Sequence, residues 1–241
     1  RQRQMCIRDS YKDSIYRSED YGVTWTKCSV ENLNWFGVSM SHNGQVQMAT
    51  VNGGEGSYIY VSTDFGVSWS PSSEEKEWGR ICLSREGKVA AVIESYEGKI
   101  YVSSDSGTTW KSVESPAGIY TDVSISRTGK IQCATIQGLG IVVSKNYGKT
   151  WSLYEVSDVL RSISVSASGK YITAVAGDGL TPGNIYVSSD FGTTWNAKVL
   201  PKLWSCVNVS NDGKYQIGTT EDSTCSEIYV STNFGETWIL K

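Results

Sequence analysis

Six copies of one short pattern divide this chain at an almost constant interval. Each copy opens on a serine and closes on a tryptophan: Ser18 to Trp25, Ser62 to Trp69, Ser103 to Trp110, Ser144 to Trp151, Ser188 to Trp195 and Ser231 to Trp238. The tryptophans fall 44, 41, 41, 44 and 43 residues apart. A chain with such a period stacks one supersecondary unit on the next, and each unit buries a face against its neighbour. The copies begin in apolar/polar alternation, as in Ile59-Tyr60-Val61-Ser62 and Ile228-Tyr229-Val230-Ser231, the period-2 pattern of a half-buried strand.

Within each copy the chain must then reverse. Asp20, Asp64, Asp105 and Asp190 can accept hydrogen bonds from backbone N–H groups two residues on. Gly22, Gly66, Gly107, Gly148, Gly192 and Gly235 supply the positive φ of a tight turn. Asn146 and Asn233 replace the acid in two copies, so the position needs an acceptor rather than a charge. Trp25, Trp69, Trp110, Trp151, Trp195 and Trp238 start the next strand, where an indole can cover the hairpin beneath it. Ser-x-Asp-x-Gly-x-Thr-Trp resembles the Asp-box, or BNR, repeat of sialidase-like β-propellers, and the resemblance covers nearly the whole chain. It implies a propeller with the box on the turn between the third and fourth strands of each blade, on the face away from the sialidase active site. The luminal domains of sortilin-type receptors and the photosystem II stability/assembly factors are similar propellers. The resemblance implies a fold and leaves the chemistry open.

A second turn recurs between the boxes: Ser41 to Gly44, Ser84 to Gly87, Ser126 to Gly129, Ser166 to Gly169 and Ser210 to Gly213. Each reads as a four-residue hairpin turn with glycine where positive φ is wanted. The unit is therefore strand A, the Ser-x-x-Gly turn, strand B, a variable loop, strand C, the box and strand D. Four strands at this period make one propeller blade. The sequence predicts an all-β propeller of four-stranded antiparallel blades, about six in number. Five are complete, from about residue 32 to 241, and residues 11–30 supply only strands C and D of the first. The expected domain is 11–241, part of a larger propeller.

Residues 1–10, RQRQMCIRDS, match neither the repeat nor a targeting pattern. They resemble the in-frame translation of a sequencing adapter and are expected to be non-native. Without them 19 basic and 24 acidic side chains remain, a balance that does not point to nucleic acid. No apolar run approaches membrane-spanning length. Cys28, Cys82, Cys133, Cys206 and Cys225 are scattered with no C-x-x-C spacing, which reads as buried free thiols; Cys206 with Cys225 is the one pair to check for a disulfide.

In this topology the A–B and C–D turns share one face and the D–A and B–C loops share the other, and variable loops on a rigid scaffold are where binding surfaces lie. Trp35, Trp78, Tyr120, Leu160 and Trp204 start the A strands on the loop face. They read either as packing between blades or as a stacking platform for sugar rings or a partner's side chains. Arg80, Asp122 and Arg161 stand beside them. Acidic residues, among them Glu31, Glu55, Glu74, Glu75 and Glu94, gather at the loop face, and Lys88, Lys130, Lys170 and Lys214 at the opposite turns.

A sialidase clamps its substrate carboxylate with three arginines, and Arg80 and Arg161 alone lie near this face, with no F/Y-R-I-P motif in the chain. His42, the sole histidine, belongs to an A–B turn, so neither a Ser/His/Asp arrangement nor a histidine metal site is expected, and no cofactor is called for. The favoured reading is a non-enzymatic module that binds a protein or glycan on its loop face. The runner-up is a glycoside hydrolase with two carboxylates across the sugar, drawn from Asp122 with Glu94, Glu97 or Asp178.

Overall fold

The computed structural model describes residues 5–8, 14–95, 98–221 and 226–241, which fall into two compact units, 1–113 and 114–241. In the first unit, β1 (Met5–Arg8), β2 (Ile15–Ser18) and β3 (Thr26–Lys27) form a three-stranded sheet. Strands β4 (Trp35–Met40), β5 (Gln47–Val51), β6 (Ile59–Ser62) and β7 (Ser70–Pro71) form the next. Strands β8 (Trp78–Leu83), β9 (Ala90–Glu94), β10 (Ile100–Ser103) and β11 (Lys111–Ser112) form the third. The second unit begins with β12 (Tyr120–Ile125), β13 (Gln132–Ile136), β14 (Gly140–Ser144) and β15 (Ser152–Glu155). It continues with β16 (Leu160–Val165), β17 (Ile172–Gly177), β18 (Pro182–Ser188) and β19 (Asn196–Lys202). Strands β20 (Trp204–Val209), β21 (Gln216–Thr220), β22 (Ile228–Ser231) and β23 (Ile239–Leu240) complete it. Every pairing is antiparallel between consecutive strands, which is the β-propeller blade predicted from the period.

The first sheet is incomplete, as expected, but it has three strands and not two. Strand β1 falls within residues 1–10 and pairs with β2 from Met5 opposite Ser18 to Arg8 opposite Ile15. The physical reason is an unpaired strand edge, whose row of N–H and C=O groups takes up an extended segment within reach.

The box turns obey a closed set of bonds. In each, the serine Oγ accepts the glycine N–H, as Gly66 N to Ser62 Oγ at 2.8 Å, and donates to the aspartate, as Ser62 Oγ to Asp64 Oδ1 at 2.8 Å. The aspartate does not reach two residues on. It accepts from the fourth residue, Thr24, Ser68, Thr109 and Thr194, through both backbone N–H and side-chain hydroxyl. The residue before each glycine also has positive φ, between 60° and 65°, at Tyr21, Phe65, Ser106, Tyr147, Phe191 and Phe234. Two consecutive left-handed residues make the reversal tight, at an expense of about 1 kcal/mol for each non-glycine. The Ser-x-x-Gly turns close by a glycine N–H on the serine carbonyl, at 2.9 Å in all five.

Packing follows the alternation. The second strands β5, β9, β13 and β17 are buried along their whole length, while the fourth strands β3, β7, β11 and β23 are exposed. Within each unit the third strand of one sheet packs on the first strand of the next. Ile59 and Val61 meet Trp78, Ile81 and Leu83; Ile141 and Val143 meet Leu160, Ile163 and Val165; Ile185 and Val187 meet Trp204 and Val207. Each such side chain contributes about 1.5–3 kcal/mol when taken from water. Hydroxyls tie the first strands of successive sheets to one another: the N–H groups of Leu83, Val165 and Val209 donate to Oγ of Ser39, Ser124 and Ser164 at 3.0, 3.2 and 3.0 Å.

The cysteines divide. Cys28 and Cys133 are buried and Cys82 is half-buried, but Cys206 is exposed, contrary to the reading of all of them as buried. Cys225, and with it the Cys206–Cys225 pair, lies outside the described residues.

Candidate functional site

The aromatic residues expected at the loop face do come to equivalent places, at the head of each first strand. Trp35, Trp78, Tyr120, Leu160 and Trp204 are nevertheless buried, none more than 4 % exposed. The indole N–H groups of Trp35, Trp78 and Trp204 donate to the carbonyls of Glu31, Glu74 and Leu200, four residues back, at 3.3, 3.2 and 3.1 Å. The Tyr120 hydroxyl does the same to the Pro116 carbonyl at 2.6 Å. The rings of Trp35, Trp78 and Trp204 meet Tyr60, Tyr101 and Tyr229 edge-on at 5.0, 5.0 and 5.1 Å. An aromatic at this position locks the chain's entry into the strand, and an open stacking platform is not what these rings form.

The carboxylates singled out for chemistry are engaged in holding backbone. Asp122 is buried: Oδ1 accepts the Val123 N–H at 2.9 Å, and Oδ2 accepts the Ile163 N–H at 3.0 Å and the Ser162 hydroxyl at 2.9 Å. It clamps β12 to β16. Asp178 is exposed and accepts the N–H groups of Leu180 and Thr181, bonds that hold its carboxyl below the usual aspartate range. Glu97 lies outside the described residues. Arg80 is exposed on β8, and Arg161 pairs with Glu221 at 3.2 Å near solvent.

A recess of the first unit lies elsewhere, with a volume of about 660 Å³. One wall is the connection from β7 toward β8, with Ser72, Ser73, Glu74 and Lys76; the other is Trp110 with Lys111 and Ser112 of β11, and Trp78 and Tyr101 complete the lining. Trp110 makes this wall because its indole departs from the pattern of its counterparts. Trp25, Trp69, Trp151 and Trp238 donate to the carbonyl of the box glycine, whereas Trp110 donates to Ser72 Oγ at 3.3 Å. Trp195 departs as well, its buried Nε1 having no hydrogen-bond partner.

Glu74, Lys76 and Lys111 are the charged groups of the recess, and Lys76 is the one held by a buried partner. Its Nζ lies 3.3 Å from Glu94 Oε1 and 5.7 Å from the centre of the Tyr101 ring. Desolvation opposes its charge, but the Tyr101 hydroxyl and the Glu94 carboxylate outweigh this and raise its pKa above the ordinary lysine value. Burial in turn pushes the Tyr101 phenol up. Glu94 is buried, and its Oε2 has no hydrogen-bond partner among the described residues. The recess thus presents aromatic surface, hydroxyls, the paired Lys76, and the charged Glu74 and Lys111, a mixture suited to binding by stacking and hydrogen bonding.

Two family models match stretches of the sequence: the BNR-Asp box repeat at residues 15–28 and 185–199, and the BNR/Asp-box repeat at residues 60–71. The chain carries Asp-box repeats and has the β-propeller fold. Among solved structures this propeller is similar to YCF48 bound to D1 peptide, at 17 % identity over 96 % of this chain and 76 % of that one, with a TM-score of 0.69. YCF48 from Cyanidioschyzon merolae matches at 18 % identity over 96 % and 79 %, with a TM-score of 0.68. The GH74 xyloglucanase from Xanthomonas campestris matches at 12 % identity over 96 % of this chain and 42 % of that one, with a TM-score of 0.73. At these identities the likeness is one of fold. No curated protein sequence matches it.

The Asp-box propeller has no helix among its described residues long and apolar enough to cross a membrane, and no described cluster of three or more metal-ligating side chains. Lys76, Tyr101 and Trp110 were not among the residues the sequence put forward. One signal was available: a lysine two residues before the strand-opening tryptophan recurs at Lys202 and Trp204, with a tyrosine at the matching place in the third strand, Tyr229. There too the lysine stands over the ring, at 5.6 Å, and binds a carboxylate, Glu227 at 2.8 Å.

Proposed function

We propose that this Asp-box propeller is a non-enzymatic binding module and that the recess walled by Ser72–Lys76 and Trp110 takes an extended segment of a protein ligand. The observation that carries the reading is the recess itself: aromatic walls, five serine and lysine donors, and no pair of carboxylates facing across it. Its volume falls in the ordinary range of ligand sites, about 300–1,000 Å³. A solved propeller of similar fold holds a peptide, which is compatible with a peptide ligand here. The glycosidase reading has less support, since Asp122 and Asp178 spend their oxygens on backbone N–H groups.

The test is a peptide array and a glycan array probed with the chain and with Trp110→Ala and Lys76→Ala. Both side chains are only half-buried, so the fold is expected to survive. Peptide binding should weaken about tenfold or more in each variant, the 1–3 kcal/mol of a lost stacking or charged contact. Equal affinity in wild type and both variants would remove the recess from the proposal. Hydrolysis of an arrayed glycan, abolished in a folded Glu94→Gln variant, would replace the module with an enzyme.

A further inference from the structure

In the second unit, where the Ser-x-x-Gly turns meet the boxes, the β12–β15 and β16–β19 sheets leave a recess of about 340 Å³ between them. Its apolar surface is Ile131, buried just after the turn, and the Phe191 ring, which is 40 % exposed. Lys130 and Lys145 bring two cations to the lining, and Thr128, Ser168 and Thr193 bring hydroxyls. Asp190 is the acidic group beside them.

The matching groove one sheet further on is filled, and residue choice is the reason. Tyr171 stands at the position of Ile131, directly after the lysine that follows the turn glycine, and its ring stacks on Phe234 with the centres 4.7 Å apart. Isoleucine is too short to cover Phe191 in that way. Two more replacements change the charge: Ser189 and Glu236 take the places of Lys145 and Thr193, and Glu236 is held by Lys198 at 2.7 Å. In the open groove Lys145 Nζ crosses between the sheets and donates to Thr193 Oγ1 at 2.6 Å, a neutral partner that leaves two of its three donors to spare. Neither Lys130 nor Lys145 forms an ion pair among the described residues. Asp190 turns its oxygens to its own box, Oδ1 accepting the N–H groups of Thr193 and Thr194 and Oδ2 the Thr194 hydroxyl.

We propose that this recess binds a small organic monocarboxylate with an aromatic or branched aliphatic body. Two ammonium groups against one carboxylate leave a single positive charge in excess, which one negative charge neutralises. Phe191 and Ile131 offer apolar surface that an organic body covers and a bare inorganic anion leaves wet. The volume lies at the low end of ordinary ligand sites, about 300–1,000 Å³, and so sets the occupant's size. Thr128 and Ser168, whose hydroxyls both donate and accept, stand within the same lining to bond the second carboxylate oxygen. This site is separate from the recess at Trp110, and neither depends on the other.

Heteronuclear NMR titration of the whole chain with phenylacetate, phenylacetamide and inorganic phosphate tests this, with Lys145→Ser, Lys130→Gln, Ile131→Tyr and Trp110→Ala alongside. The expected result is saturable binding of phenylacetate with a dissociation constant of about a millimolar or below, and shifted amides at Ile131, Phe191 and Thr193. Phenylacetamide should bind at least about threefold more weakly, and phenylacetate should lose as much in each lysine variant. Ile131→Tyr installs the side chain that fills the neighbouring groove and should abolish binding, while Trp110→Ala leaves it unchanged. Both lysines are exposed, so their variants fold and decide the outcome even where Ile131→Tyr does not fold. Phenylacetate that fails to saturate at tens of millimolar overturns the proposal. So does a smaller loss in either lysine variant, an amide bound as tightly as the acid, phosphate bound more tightly than phenylacetate, a folded Ile131→Tyr that still binds, or a loss on Trp110→Ala.

Discussion

Asp190 shows why the box position is filled by aspartate or asparagine in all six copies. Burial pushes its carboxyl up, but the bonds from Thr194, Ser188 and Thr193 outweigh this and hold it at about 2. The hydroxyl and N–H of Ser68 bring Asp64 to about 2 in the same way. The folded value lies below the ordinary 3.8, so the stability these carboxylates supply is fully present above about pH 4 and is lost as pH falls from there through 2. Asn146 and Asn233 keep the geometry without the charge: Oδ1 accepts the N–H of Thr150 and of Thr237, and the amide donates to the hydroxyl that an aspartate would accept from. Asp190→Asn should therefore fold with little change at pH 7, and Asp190→Ala should lose about 1 kcal/mol in denaturant unfolding. The double variant Asp64→Asn with Asp190→Asn should show a flatter melting temperature between pH 4 and 2 than wild type.

At the scale of the element, Asp122 and Trp78 do the same work by different physics. Asp122 joins two strands by taking donors from both, and Trp78 joins a connection to a strand by burying an indole whose N–H is satisfied. Asp122→Asn puts an amide donor where N–H and O–H donors already point. It should cost about 1–3 kcal/mol, measured as a shifted urea midpoint, without touching any ligand affinity. Trp78→Phe should lose little more than the hydrogen bond, about 1 kcal/mol, whereas Trp78→Ala should lose about 3–5 kcal/mol and approach the limit of a marginally stable fold. Neither role was visible from the residue types. Tryptophan at a strand head fits a core and a platform equally, and a carboxylate near a loop fits catalysis and clamping equally, because the choice rests on what stands opposite.

Across the whole molecule, stability should grade with strand position. The second strands β5, β9, β13 and β17 are wholly buried and pair on both edges, while the fourth strands are mostly two exposed residues at a sheet edge. Amide hydrogen exchange should be slower in β5, β13 and β17 than in β7, β11 and β23 by on the order of a hundredfold or more. Uniform protection across the four strands would contradict the packing described here. The period, the alternation and the two glycine turns were sufficient, from sequence, to specify the four-stranded antiparallel blades and their strand order, since each is a local property of residues close along the chain, but not the third strand that β1 adds to the first sheet. Tertiary structure alone decided which equivalent residues are covered. Ile185 and Ile228 occupy the same place in the same motif, as do Trp69 and Trp110, yet one of each pair is buried or bonded as the pattern requires and the other is not. A repeat encodes the same side chain each time, but burial and hydrogen bonding are set by the neighbouring sheet, which no single repeat contains.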